Sequence, residues 1–264
     1  MNRKKSNNTD YSEITEKPGL GATAEQIARL YHRYHFARQF AKDKDVLEVA
    51  CGAGLGLGYL AKIANRVVGG DIEEKNVSIA KKYYEKRENI EIKLIDAHIL
   101  PFTDKSFDLV LLYEAIYYFK EPQKFVSEAK RVLRENGILI ICTVNKDWED
   151  FHPSIYSCKY FSIPELYELL KDDFKNIHFF GAFPTNTTGL RDIFISFLKR
   201  TAVKLNLIPG SLNTRAYLKR IFIGKLTSLA NEVHDGMTSF EEPIPIEFDK
   251  VNKNFKIIYT MARK

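Results

Sequence analysis

The chain has 264 residues, 45% of them apolar and 28% charged, an ordinary balance for a globular protein with a real core. Disorder, collagen-like repeats and a disulfide scaffold are excluded: three cysteines are too few for a framework, and Cys51 and Cys142 lie in apolar runs, which points to a reducing compartment. The net charge is +6, and the stretch from Arg191 to Lys225 accounts for it, with eight basic residues against the acid Asp192.

The start, MNRKKSNNTDYSE, has basic residues with no apolar run behind them, so no secretory signal is expected. With Pro18-Gly19 and Gly21 as breakers, residues 1–23 read as a loose arm. In AEQIARLYHRYHFARQFAK (24–42), Ile27, Leu30, Tyr31, Tyr34 and Arg38 recur at three and four residues and predict a helix. DVLEVA (45–50) reads as a strand running into the glycine-rich CGAGLGLG, with a helix from YLAKIA. RVVGGD (66–71) is a second strand ending in an acid, EEKNVSIAKKYYEKR (73–87) an amphipathic helix, and IEIKLID (90–96) a strand that again ends in an acid.

The rhythm continues with strands at SFDLVLLYE (106–114), ILIICTV (138–144), KNIHFFGAF (175–183) and FKIIYTMA (255–262). PQKFVSEAKRVLREN (122–136) has Pro122 in its first turn and SIPELYELLKD (162–172) a serine cap, both helical signatures. Strands alternating with helices predict an α/β protein with a doubly wound, mostly parallel sheet covered on both faces. The expected organisation is an arm and cap helix over 1–44, a core over 45–183 with 247–264, and a helical basic insertion over 184–246. Insertions of that length usually cover a site.

The strongest chemical signal is EVACGAGLG (48–56), between the first strand and its helix, where glycines let a ligand approach the helix N-terminus. Gly56-Leu57-Gly58-Tyr59-Leu60-Ala61 matches a dinucleotide-binding string in form, but begins about four residues beyond the strand. The better-placed string has Glu48 just before its small residues. A carboxylate there repels a pyrophosphate and suits a cationic ligand such as a sulfonium with its ammonium group.

These residues resemble the class I S-adenosylmethionine-dependent methyltransferases. VLEVACGAG (46–54) is similar to their first motif, and Asp71 after RVVGG to the acid ending their second strand. DAHILPFTDKSFDLVLLYEAIYYF (96–119) and EPQKFVSEAKRVLRENGILII (121–141) resemble the segments that follow. The resemblance implies a Rossmann-like sheet of seven strands with the last antiparallel, and S-adenosyl-L-methionine as cofactor. Ala50 departs from the pattern, standing where the family usually has a glycine.

By that resemblance Asp71, with Ile72 beside it, meets the ribose hydroxyls, and Asp96 and Ala97 the adenine. Glu48 meets the methionine amino end, Gly52 and Gly54 admit the ligand, and Tyr113 lines the pocket. Arg33 and Tyr34, within HRYHFA, are placed to meet the cofactor carboxylate, or else are a solvated helix face. Methyl transfer to a hydroxyl needs a general base. Glu114, His152, His35 and His32 are candidates, with Glu114 and His152 carried forward as catalytic residues.

No residue cluster has metal-ligand spacing, and no nucleic-acid module accompanies the basic stretch. HPSIYSCKYFSIPELYELL and FFGAFP resemble methyltransferases among surface-polysaccharide enzymes. The expected acceptor is thus a small molecule or glycan hydroxyl, lipid-linked or free. The alternatives are a quinone or other lipid, and a scaffold that binds the cofactor without catalysis. The apolar stripes beside the basic residues of 191–225 suit lid helices, or contact with an anionic membrane from the cytoplasmic side.

Overall fold

The computed structural model describes residues 10–185 and 226–264. The strands are β1 (Gly21–Ala22), β2 (Asp45–Val49), β3 (Arg66–Asp71), β4 (Ile90–Leu94), β5 (Phe107–Tyr113), β6 (Leu133–Val144), β7 (Lys175–Pro184), β8 (Thr227–Ser228), β9 (Ile244–Ile246) and β10 (Phe255–Arg263). The helices are α1 (Ala24–Ala41), α2 (Leu57–Ala61), α3 (Glu74–Tyr84), α4 (Pro122–Val132) and α5 (Ile163–Leu170).

Continuous apolar strands need cover on both faces, and β2 shows how it is supplied. Its Val46 points into one core with Leu30, Tyr34 and Leu57. Leu47 and Val49, on the opposite pleat, enter a second core with Phe125 and Leu166. The helices start where their caps dictate: Thr23 with Gln26 and Ser162 with Glu165 form reciprocal capping boxes at α1 and α5.

The main sheet runs β4-β3-β2-β5-β6-β10-β7-β9. Parallel pairing joins β4, β3, β2, β5 and β6, while β10 inserts antiparallel between β6 and β7. The expected seven strands are joined by an eighth, the short edge strand β9, antiparallel to β7. Because β3 and β5 flank β2 on opposite sides, the chain order reverses there, and a crevice opens beyond the strand's C-terminal end. The site lies in it.

Three local expectations are corrected. The helix predicted over 122–136 stops at Val132, because Leu133 pairs with Phe107 on β5 and Asn136 adopts φ 62°. The arm is not loose throughout: Asp10 accepts the Ser12 amide at 3.0 Å and caps a tight turn over Tyr11–Glu13. The insertion expected to be helical over 184–246 is not helical over residues 226–233, where β8 pairs with β1. Leu229 and Val233 are buried there, the Val233 amide donates to the Leu55 carbonyl at 2.8 Å, and Arg38 pairs with Asp235 at 2.6 Å. Residues 186–225, holding the basic helical patterns, lie outside the described residues.

Candidate active site

A cavity of about 400 Å³ sits over the C-terminal ends of β2, β3 and β5, walled by α1 and roofed by residues 11–16. Its floor is the turn after β2, where Ala50, Gly52 and Gly54 all have left-handed backbones, at φ 56°, 57° and 78°. Asp71 ties the turn to β3: its carboxylate accepts the Gly52 amide at 2.8 Å, the Glu73 amide at 2.9 Å and the Asn76 side-chain amide at 3.2 Å. Ala50 and Gly52 line the cavity with Asp71 and the exposed Ile72. Gly54 lies behind the turn, its carbonyl accepting from the Tyr84 hydroxyl at 2.8 Å.

At one end of the cavity, acid and base face each other. Glu48 is 1% exposed, and its Oε1 accepts the Tyr34 hydroxyl at 2.6 Å. Among the described residues its Oε2 is buried without a hydrogen-bond partner, as is Nε of Arg33. Burial outweighs the Tyr34 bond and the nearby Arg33 charge, pushing the Glu48 carboxyl up to about 7. Arg33 pairs with Glu16, and its carbonyl accepts the Tyr113 hydroxyl at 3.2 Å. A zwitterionic amino-acid group would answer the orphaned Glu48 oxygen with its ammonium and the Arg33 guanidinium with its carboxylate. The methionine end of S-adenosylmethionine is such a group, so the residues present fit this cofactor.

At the other end Asp96 and Ala97 line the cavity beside His98. Asp96 accepts both the His98 amide at 2.9 Å and its ring Nδ1 at 2.7 Å, and the His98 ring packs 5.3 Å from Phe119. The histidine thereby orients the carboxylate.

Glu114, expected as a catalytic residue, follows β5 in a left-handed conformation, φ 51°, that an L-residue holds only when its surroundings impose it. It is half-buried and lines the cavity, and its Oε2 accepts the Tyr117 hydroxyl at 3.0 Å. Desolvation raises its carboxyl above the ordinary range, against the pull of Arg33 and Arg29. His152, its companion in the sequence reading, is exposed and absent from the cavity lining. The α1 histidines are also elsewhere. His32 bonds the Tyr259 hydroxyl and the Glu241 carbonyl, each at 2.8 Å, with burial holding its ring down at about 4. His35 bonds the Tyr59 hydroxyl at 2.9 Å.

The sequence reading missed His98, Arg29 and the roof residues Tyr11, Thr15 and Glu16. The roof had one usable signal, an acid at position 10 with another three residues on, the spacing of a helical-turn cap.

Residues 47–141 match the family model described as a methyltransferase domain. The chain is 35% identical over 103 residues to a probable S-adenosylmethionine-dependent methyltransferase of Mycolicibacterium smegmatis, covering 39% of each protein. It is 29% identical over 120 residues to a ubiquinone biosynthesis O-methyltransferase of Pelagibacter ubique, covering 45% of this chain and 50% of that one. The chain thus spans half the length or less of these curated relatives. Among solved structures, an S-adenosylmethionine-dependent methyltransferase from Thermotoga maritima shares the fold at TM-score 0.53 and 16% identity, over 91% of this chain and 94% of that one. The cyclase SpnF does so at TM-score 0.56 and 19% identity, over 95% of this chain and 85% of that one.

Residues 47–141 thus match a methyltransferase domain, and a curated relative similar over 103 residues of the chain is described as probably S-adenosylmethionine-dependent. S-adenosylmethionine is the cofactor that goes with it. A cyclase on the same fold means that the reaction must be argued from the site.

Proposed function

We propose that this chain is an O-methyltransferase that moves the methyl group of S-adenosylmethionine to a ring hydroxyl, with a glycan or lipid-linked glycan as acceptor. The observation that carries it is the Glu114–Tyr117 pair: a carboxyl with a raised proton affinity, reachable from the cavity and fixed by a phenol at 3.0 Å. A hydroxyl loses its proton as the new C–O bond forms, and a positioned base contributes about 10²–10⁴-fold to such a step. An amine acceptor has less need of one.

The cofactor supplies an electrophilic methyl carbon when bound. Asp71, Asp96 and Gly52 hold its nucleoside, and Glu48 and Arg33 its amino-acid end. Glu114 takes the acceptor proton, while the tyrosine hydroxyl keeps the receiving carboxylate turned toward the cavity. Tyr118, 4.5 Å from Tyr117, and Tyr11, 5.3 Å from Tyr118, give the acceptor side an aromatic wall on which a sugar or phenol ring can stack. Much of the rate then comes from orientation of the two partners.

A quinol is the second reading, favoured by the similarity to a ubiquinone biosynthesis O-methyltransferase. Incubating the protein with radiolabelled cofactor and, separately, lipid-linked sugar and quinol extracts distinguishes them. Label in the sugar fraction supports the first reading and label in the quinol fraction the second. Label only on amines removes both.

A further inference from the structure

The roof of the cavity makes contacts that a simple cover does not need. The Tyr11 amide donates to the Glu73 side chain at 3.0 Å, and Lys75 pairs with Asp10 at 2.6 Å, which fixes one end of the segment to the start of α3. At the other end Glu16 pairs with Arg33 on α1. Between them the Asn76 side-chain amide donates to Thr15 Oγ1 at 3.1 Å and to Asp71 at 3.2 Å, linking the roof to the acid that faces the ribose. The Thr15 methyl fills the space over Gly52, where a Cβ would come within 2.6 Å of it. Two of the cofactor-facing groups, the Gly52 surface and the Arg33 guanidinium, are thus already covered by this chain's own residues.

We propose that residues 10–16 are a latch in which Glu16 holds Arg33 in place of the cofactor carboxylate, so that cofactor entry and latch release are a single exchange. This rests on the assignment of the cavity to S-adenosylmethionine. The Arg33 side chain is only 11% exposed, and among the described residues its ion-pair partner is Glu16. A guanidinium in that setting must keep an anion on it, because an uncompensated charge at such depth is costly. Glu16 serves while the site is empty, and the incoming carboxylate replaces it. The latch then selects ligands that bring their own anion. A nucleoside lacking the amino-acid end leaves the Glu16–Arg33 pair intact and gains nothing from its release.

Calorimetric titration of the full chain tests this with two ligands that share adenosine and sulfur: S-adenosylhomocysteine, which has the carboxylate, and 5′-methylthioadenosine, which does not. Glu16→Gln is expected to tighten S-adenosylhomocysteine about tenfold, as when removing a competing state restores a competent fraction of one in ten, and to leave methylthioadenosine within about twofold. Amide exchange over residues 10–16 is expected to quicken when S-adenosylhomocysteine binds. Equal gains for both ligands would make the segment a plain cover and overturn the exchange. So would unchanged S-adenosylhomocysteine affinity, or slower exchange on binding. Absence of binding by either ligand to a wild-type chain that still melts cooperatively removes the cofactor assignment itself, a result distinct from these.

Discussion

Two carboxyl groups, Glu48 on β2 and Glu114 just after the adjacent β5, each accept a tyrosine hydroxyl, yet the fold sets them in different surroundings. Glu48 lies within β2, 1% exposed, its second oxygen orphaned. Glu114 lies just past the end of β5 on a strained backbone, half-buried and open to the cavity. Burial raises the proton affinity of both. A group enclosed in this way can offer a fixed charge to a ligand that comes to it. A group that must take a proton from a second substrate needs an open side. On the proposed reading exposure divides binding from catalysis, and each variant below can break that division.

The largest effect is expected at Glu114. Glu114→Gln keeps the shape and the Tyr117 contact but cannot accept a proton, so the turnover rate should fall by about 10²–10⁴-fold. Affinity for S-adenosylhomocysteine should stay within about twofold of wild type in the same preparation. A Gln variant with full turnover on the true acceptor would end the base assignment, and His152→Ala, at an exposed site, is expected to leave the rate unchanged.

Asp71→Asn comes next. A charge-assisted hydrogen bond contributes about 1.5–3 kcal/mol, so its loss should weaken S-adenosylhomocysteine roughly ten- to a hundredfold. Because Asp71 also holds the Gly52 and Glu73 amides, a thermal melt is needed beside the titration to separate lost contact from a loosened turn.

The elements of the cofactor half were plain in the sequence because they are local. The run from Val46 to Gly54, the acids at the end of β3 and just past β4, and the first-turn proline of α4 and serine cap of α5 each act through neighbours a few residues away. Glu114 could be named from its place after a strand, but its pairing with Tyr117 depends on the turn between them. The roof was not legible, since Glu16 reaches Arg33 and Thr15 reaches Gly52 only once α1 has packed on the sheet. His32 and His35 show the converse. Their aromatic, basic helix invites a catalytic reading, but they face Tyr259 and Tyr59 on the side away from the cavity. Strand β9 escaped notice because three residues, one of them Pro245, carry too little pattern.

A smaller effect concerns pH and Glu48. Its folded carboxyl is raised to about 7 from an ordinary 4.5, and a cationic ligand favours the ionised form. Binding below pH 7 must first expel a proton, so S-adenosylhomocysteine affinity should fall with decreasing pH, by at most about tenfold per unit. Above pH 7 it should be flat. Between 4.5 and 7 the folded chain holds a proton that the unfolded chain has lost, so this group's contribution to stability declines as pH rises through that window. Glu48→Gln should bind more weakly at pH 8 and lose the slope. A slope that survives in the variant would place the titrating group elsewhere.

The smallest effect is expected at Ala50, where the sequence departs from the family it resembles. Its φ of 56° costs an alanine about 1–2 kcal/mol that glycine does not incur, offset in part by the greater freedom of glycine in the unfolded chain. Glycine also removes a methyl group from the cavity wall without touching the hydrogen bond that the Gly52 amide makes to Asp71. Ala50→Gly should therefore raise the melting temperature by about 2–4 °C, the shift that about 1 kcal/mol produces in a chain of this size. Cofactor affinity should hold or improve slightly. If the variant melts lower instead, then the backbone strain at this turn is smaller than the entropy lost by fixing a glycine. The alanine would then be rigidifying the floor of the cavity, and the turn after β2 would be held stiff at a position where the family it resembles usually has a glycine.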